Sequence, residues 1–491
     1  ASAAAFGTET RSYIVKTKHG GIYLEVAHPT KGGKIVKAPT LLTYSPYSVL
    51  GRNGDAAHWN AMGIARAYAG GMRYTLNDEF LGNQGPGAVI DEGFDTPLLF
   101  DFGFALPPPT DVQGEGWADR VASTVTPCDE VEHMQHGYDF ETPNYTKFWK
   151  ERDYLAGARK LKIPVLVAHN WGDWNVKQEE AWNLFRALDD SPQRVMYMGT
   201  RWDGHGRPGG DYDAFRRAWL DHYLLGESNG IEDAPSVVTQ TSDHAGPGDW
   251  LSGRPLDVAP VELIAQQTPV TSLDDYAWKL LPTRPGALDG ADAQRARFPS
   301  TGLNTESDAA LNPRGNLEWF WFETPPLARD VRIFGSMKVR IYSTVARKWI
   351  TYTPSVFDVV PSQHVTVGGQ QVATDPRALV AVTRGWLDSR YRNGLRRPQA
   401  VEPNEPFGMT VVAKPQDYVF RAGHRIGVSI QTEINEWSIP KAYPGCEGDP
   451  AARCALVRVN WEGGRTRLVL PVVGAPRDAT RLFTGDGWPH N

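Results

Sequence analysis

Ile163 to Lys177 reads IPVLVAHNWGDWNVK, and its first half is a short apolar run rich in β-branched residues. That pattern predicts a parallel strand buried on both faces. In the next stretch, QEEAWNLFRALDD, the residues Ala181, Leu184, Phe185 and Leu188 recur at helical spacing. A second apolar run, Val195 to Met198, then leads into RWDGHG. The predicted order is strand, helix, strand, with Asp173 just past the carboxyl end of the first strand and His205 just past that of the second. Ligands and reacting groups of open α/β sheets gather at this edge.

Upstream, SYIVKTKHGGIYLEV over 12–26 predicts two strands turned at Gly20-Gly21. Ala38 to Tyr44 predicts a third strand, and a helix-like segment runs from Ala56 to about Ala67. Residues 75–160 are rich in glycine, proline and aromatics with weak periodicity, and predict a helical cap. After RWDGHG, Tyr212, Phe215, Trp219 and His222 share a helix face that closes at Gly226.

Beyond about residue 240 the pattern changes. Short β-rich runs recur without helices between them: Leu317 to Phe322, Val331 to Tyr342, Trp349 to Val360, Ala378 to Thr383, Met409 to Val412, Arg425 to Gln431, Leu456 to Trp461 and Thr466 to Val472. Such a series predicts an antiparallel β-sandwich, read here as a jelly roll without catalytic residues. The expected division is an α/β domain over 1–74 and 161–241, the cap over 75–160, and the sandwich over 242–491, with the boundary in the polar Ser242–Gly248 stretch.

Composition narrows the function classes. A chain of 491 residues with 41% hydrophobic content supports several cores. A net charge of −6 without a basic cluster argues against nucleic acid as a partner. No apolar run approaches the ~20 residues of a membrane span. The small, polar start ASAAAFGTET resembles an end left by signal-peptide cleavage, so a secreted or extracytoplasmic protein is expected. Of three cysteines, Cys446 and Cys454 flank a tight loop and are expected to pair, leaving Cys128 over. The absence of C-x-x-C and of clustered histidines points away from a metal site, and no cofactor is implied.

An acid after one strand and a histidine after the next form the second half of an α/β-hydrolase triad, whose chain order is Ser, acid, His. Asp173 would hold the imidazole in its working tautomer, and His205 would move the proton between serine and leaving group. The competing reading makes Asp173 a helix cap and His205 an ordinary loop residue.

Longer motifs carry a resemblance. TYSPYS, FWKERDY, VAHNWGDWNVK, DGHG, WLDHYLLGESNGIEDAP, TRGWLDSRYRNGLR and YVFRAGHRIGVSI together resemble the Xaa-Pro dipeptidyl-peptidase group, within the hydrolases that include bacterial cocaine esterase and α-amino-acid ester hydrolases. The resemblance implies an α/β-hydrolase domain with a helical cap followed by a jelly roll. It places Asp173 and His205 as triad acid and base, and Tyr47 as the phenol that contributes to the oxyanion hole.

One departure stands against these matches. The group's serine sits in a G-x-S-x-G elbow ahead of the acid, whereas this chain has five serines before residue 163, namely Ser2, Ser12, Ser45, Ser48 and Ser123. None lies in such a motif. The literal match Gly226-Glu227-Ser228-Asn229-Gly230 comes after a helix and after His205, so it predicts a helix-ending turn. The nucleophile is therefore unassigned. Two strands, two helices and their loops, roughly 60–80 residues, are missing near 67–71 relative to the group. Three functions fit these residues: a serine peptidase that releases Xaa-Pro dipeptides, an esterase or acylase acting on small esters or amides, and a catalytically incomplete relative with a binding role. The oligomeric state is not legible.

Overall fold

The computed structural model describes residues 6–17, 20–45, 56–70, 155–173, 177–204, 206–253, 257–267, 278–282, 295–299, 320–361, 364–367, 370–373, 379–432, 456–460 and 464–483. These residues fall into two compact units.

The first unit holds a sheet built from β1 (Gly7–Thr17), β2 (Gly20–Lys31), β3 (Lys34–Ile35), β4 (Thr40–Ser45) and β5 (Ala65–Gly70). β1 and β2 form the expected antiparallel pair, although Gly20 and Gly21 face Thr17 and Lys16 and so belong to β2. β5 pairs antiparallel with β2 and parallel with β4. Helix α1 spans Ala56–Ala61. The sequence pattern overextends this helix to Ala67. Gly63 at φ 78° ends it, and the chain leaves as strand β5, where Ala65 and Ala67 bury beside Val26. A residue with positive φ cannot continue a right-handed helix, and glycine is the residue that tolerates it.

The second unit contains the strand–helix–strand stretch. Helix α2 (Leu155–Ala158) precedes β6 (Val165–Asn170), α3 (Gln178–Ala187) and β7 (Arg194–Gly199). β6 and β7 pair in parallel, from Val165 opposite Arg194 to Asn170 opposite Gly199. The apolar run of β7 explains its depth: Val195, Met196 and Met198 are fully buried. Helix α4 (Tyr212–Leu225) stops at Gly226, φ 76°, whose N–H donates to the His222 carbonyl. Apart from its first residue, α4 belongs to the first unit. β8 (Val237–Ser242) extends the parallel pairing beyond β7, then folds back antiparallel into β9 (Pro247–Gly253). Asp243 makes their turn, its carboxylate accepting from the N–H groups of Ala245 and Gly246.

Most of the remaining strands form two layers of the same unit with mainly antiparallel pairing, while 351–352 with 387–388 and 364–367 with 370–373 form separate two-stranded pairs. One runs 320–323, 425–430, 355–359, 379–384 in order of pairing. The other is built around 331–335 and 338–345, which pair with 416–420, 406–412, 456–460 and 467–473; 258–267 and 278–282 continue it. Inward-facing side chains alternate as the pleat requires, with Val339, Ile341 and Val345 from one strand and Leu468, Leu470 and Val472 from another. They meet Phe320, Phe322, Val356, Ile426 and Val428 of the opposite layer in one apolar core. Two expected strands prove to be pairs: Val331 to Tyr342 breaks at Gly335, φ 109°, and Trp349 to Val360 breaks before Ser355, where Pro354 can donate nothing to a ladder. Cys128, Cys446 and Cys454 lie outside the described residues.

Candidate functional site

Two loops leave the carboxyl ends of β6 and β7 side by side. The first carries Asp173, which is 2% exposed. The second is residues 200–206. His205 itself and Tyr47 lie outside the described residues, but both neighbours of His205 are held in place. The side chain of Asn170, the last residue of β6, donates to the carbonyls of Gly204 at 3.1 Å and Gly206 at 3.4 Å. The Asn170 carbonyl also receives the N–H of Asp173. One buried amide thus ties the acid's loop to both flanks of position 205.

Glycines let the loops meet this closely. A Cβ on Gly172 would lie 1.8 Å from the Arg201 carbonyl oxygen and 2.8 Å from that of Asp203. One on Gly199 would lie 2.1 Å from Asn170 Oδ1. Asn170, Gly172 and Gly199 are site-building residues that sequence reasoning missed. The signal available for them was HNWGD itself, a polar residue and a glycine at the end of an apolar strand. A second histidine was also passed over: His169 Nε2 lies 4.0 Å from Asp173 Oδ2, and its side chain is 13% exposed.

Trp171, between Asn170 and Asp173, is fully buried and anchors the loop to the β-layers. Its indole packs against Trp182 and Phe334, with ring centroids 6.1 and 5.9 Å away. Its Nε1–H donates to Thr239 Oγ1 at 2.9 Å, and that hydroxyl donates to Asp417 Oδ2 at 2.9 Å. Arg332 closes the chain with two hydrogen bonds to Asp417, of 2.8 and 2.7 Å. Gln416 Nε2 donates to the Trp171 carbonyl at 2.9 Å. Lys414, stacked 4.1 Å above the Trp386 ring, pairs with Glu179 on α3. Burial pushes the Asp417 carboxyl up, against the downward pull of Arg332 and the Thr239 hydroxyl.

A profile described as X-Pro dipeptidyl-peptidase (S15 family) matches residues 110–203, which contain Asp173 and end two residues before His205. A second, described as the X-Pro dipeptidyl-peptidase C-terminal non-catalytic domain, matches residues 229–457. Over these two stretches the chain is similar to the X-Pro dipeptidyl-peptidases. A Bacillus cereus protein with a provisional Xaa-Pro dipeptidyl-peptidase name is 28% identical over 347 residues, covering 68% of this chain and 54% of its own. The Xaa-Pro dipeptidyl-peptidase of Lacticaseibacillus casei is 23% identical over 322 residues, covering 60% of this chain and 40% of its own. The chain thus spans about half the length of the curated relatives it matches.

Solved structures show the fold of these hydrolases. An aminopeptidase from a marine-sediment Thaumarchaeota archaeon superposes with a TM-score of 0.65 at 14% identity, covering 96% of this chain and 97% of its own. An α-amino acid ester hydrolase gives 0.64 at 15% identity, covering 95% and 96%. The shared architecture is an α/β-hydrolase portion followed by a carboxyl-terminal β domain. The matched stretches and these neighbours are all from hydrolases or peptidases. Ser228, the serine of the literal G-x-S-x-G, is exposed beyond the end of α4, with no strand ahead of it. It has none of an elbow's surroundings.

Proposed function

We propose that this chain is the acid–base portion of a serine peptidase that releases amino-terminal Xaa-Pro dipeptides. The observation that carries the reading is the Asn170 clasp, which fixes Asp173 and both neighbours of His205 at the carboxyl ends of adjacent parallel strands. In this reading Asp173 accepts the Nδ1–H of His205 and offsets the charge of the imidazolium. His205 Nε2 takes the proton of a serine hydroxyl as that oxygen attacks the scissile carbonyl, then gives it to the leaving amine. Water releases the dipeptide from the acyl-enzyme by the same proton path in reverse. Tyr47 donates its phenol hydrogen to the developing oxyanion, a role worth roughly 10²- to 10³-fold in rate.

The proposal extends to the layout. The α/β domain takes 1–74 and 161–241, the helical cap 75–160, and a jelly roll 242–491. The serine is supplied by a segment that this chain lacks. Among the described residues β4 has a strand partner on one side alone, β5, and β6 likewise has only β7. Parallel strands are ordinarily flanked on both sides. Leu42 on β4 is 56% exposed, as expected of a strand with part of its packing absent.

The test uses the parent gene, read and expressed across the codons for residues 60–75. His205→Ala and Asp173→Asn should each lower turnover of an Xaa-Pro-p-nitroanilide by roughly 10⁴-fold while leaving the fold intact. A His205→Ala protein with near-normal turnover would assign the base elsewhere. A panel of small esters beside the peptide substrate decides between peptidase and esterase.

A further inference from the structure

The sequence scatters its histidines, yet folding brings two of them to a buried carboxylate far from the loops of Asp173 and His205 in the chain. His244 sits in the β8–β9 turn, His424 at the start of strand 425–430, and Asp358 within strand 355–359. One ligand-type atom from each lies within 4.8 Å of the other two. Asp358 is fully buried and His424 is 7% exposed. His424 Nδ1 and Asp358 Oδ1 are 2.8 Å apart, and Tyr418 Oη donates to Asp358 Oδ2, also at 2.8 Å. The two imidazole rings meet edge to face at 4.6 Å. His244 Nδ1 is buried without a hydrogen-bond partner.

We propose that His244, His424 and Asp358 form a binding site for a divalent first-row transition cation, of the Zn2+ class. Two imidazoles and one carboxylate are a donor set that Zn2+ takes, with water as the fourth ligand. Two ligands on one tetrahedral ion with bonds of about 2.0–2.1 Å stand about 3.3–3.4 Å apart, so His424 Nδ1 and Asp358 Oδ1, now 2.8 Å apart, need to part by about half an ångström. The cation replaces the hydrogen shared by that pair, and a neutral His424 keeps its proton by moving it to Nε2. Tyr418 then orients the carboxylate through the oxygen that the metal does not use. The three ligand atoms lie within 4.8 Å of one another, and His244, in a turn beside exposed Ala245, is the member placed to close onto an ion.

The surrounding charge also suits a cation. Asp358, Asp243 and Asp330 stand against Arg421 and Arg201, and Arg421 is already engaged by Asp243 at 2.5 Å and Asp330 at 2.8 Å. A bound ion would tie the β8–β9 turn to both 355–359 and 425–430. That is a structural clip, and it does not depend on the peptidase reading.

The test is titration of the metal-free 491-residue chain with Zn2+ against a chromophoric chelator, with Co2+ absorption as a second readout. One equivalent should bind, and Co2+ should give the visible bands of a four-coordinate nitrogen–oxygen site. Bound Zn2+ should raise the thermal midpoint in a concentration-dependent way. His244→Gln, in a half-buried turn where folding is not at stake, should weaken binding by more than about 100-fold, and Tyr418→Phe by about 10-fold. Acid should weaken binding, since protons compete for both imidazoles. Absence of a saturable first equivalent, or a His244→Gln protein that binds like wild type, overturns the site.

Discussion

Replacing Gly172 by alanine puts the geometry of the two loops to a direct test. The added methyl would sit 1.8 Å from the Arg201 carbonyl oxygen, whereas real Cβ contacts stay beyond 3.0 Å, so the 201–206 loop must retreat by about 1.2 Å. Gly172 does not have positive φ, so alanine meets no backbone barrier there. The substitution should gain about 0.4–1 kcal/mol through a stiffer unfolded chain. Overpacking against a backbone costs about 1–3 kcal/mol, and the retreat also strains the Asn170 hydrogen bonds to Gly204 and Gly206, so the net effect is destabilising. The loss is local, and hydrogen exchange read by mass spectrometry is the suitable assay. Peptides covering 200–206 should exchange faster in Gly172→Ala, while those from 338–345 in the β core should not change. In the nucleophile-bearing parent protein, displacement of the histidine loop by about 1 Å should cost on the order of 10²-fold in kcat. Unchanged exchange at 200–206 with unchanged turnover would refute the packing of these loops.

Asp417→Ala should destabilise the chain by about 3–5 kcal/mol, read from urea unfolding, because it strands Arg332 and the Thr239 hydroxyl beneath Trp171. Asp417→Leu combined with Arg332→Met should cost markedly less, since burial already opposes ionisation of that carboxyl. Acid should weaken the Asp243–Arg421–Asp330 cluster. Burial pushes Asp243 up, but Arg421 and the N–H groups of Ala245 and Gly246 outweigh it and hold the carboxyl low. Asp330 is held low by the Ala422 N–H and by Arg421. Both folded values lie below the unfolded ones, so their contribution is present above the usual carboxylate pKa of about 3.9 and disappears as pH falls through the folded values. Unfolding midpoints of wild type and Asp243→Asn/Asp330→Asn should therefore differ at about pH 6 and draw together as pH falls below the unfolded carboxylate value of about 3.9. The 491-residue chain should take no label from a fluorophosphonate probe that labels the parent protein, and stoichiometric labelling would reveal a nucleophile outside any elbow.

The parts legible in the sequence were those whose pattern is local. Val165–Asn170 and Arg194–Gly199 announce themselves as apolar runs, and Gln178–Ala187 by its helical period. The sequence pattern overextends α1 because ARAYAG has alanines that suit either state. Its strand character comes from pairing with β2 and β4, which no window of residues reveals. The 416–420 strand is not legible in the sequence for a related reason: QDYVF opens with two polar residues that a local pattern places in water. Both are buried because their partners, Trp171 for Gln416 and Thr239 and Arg332 for Asp417, lie far away in the chain.

Those partners recast the role of the β-layers. Gln416 holds the carbonyl of Trp171, Asp417 holds its indole through Thr239, and Phe334 packs on its ring. Trp171 is two residues from Asp173 and next to Asn170, whose amide spans position 205. Each link is a hydrogen bond or ring contact between fully or largely buried groups, where an unmade bond costs about 1–3 kcal/mol. The loop that carries Asp173 is ordered by this route from the side of the β-layers. A region named for having no catalytic residue would then set the geometry of the acid. It would do so through one strand, 416–420, that touches the loop from behind.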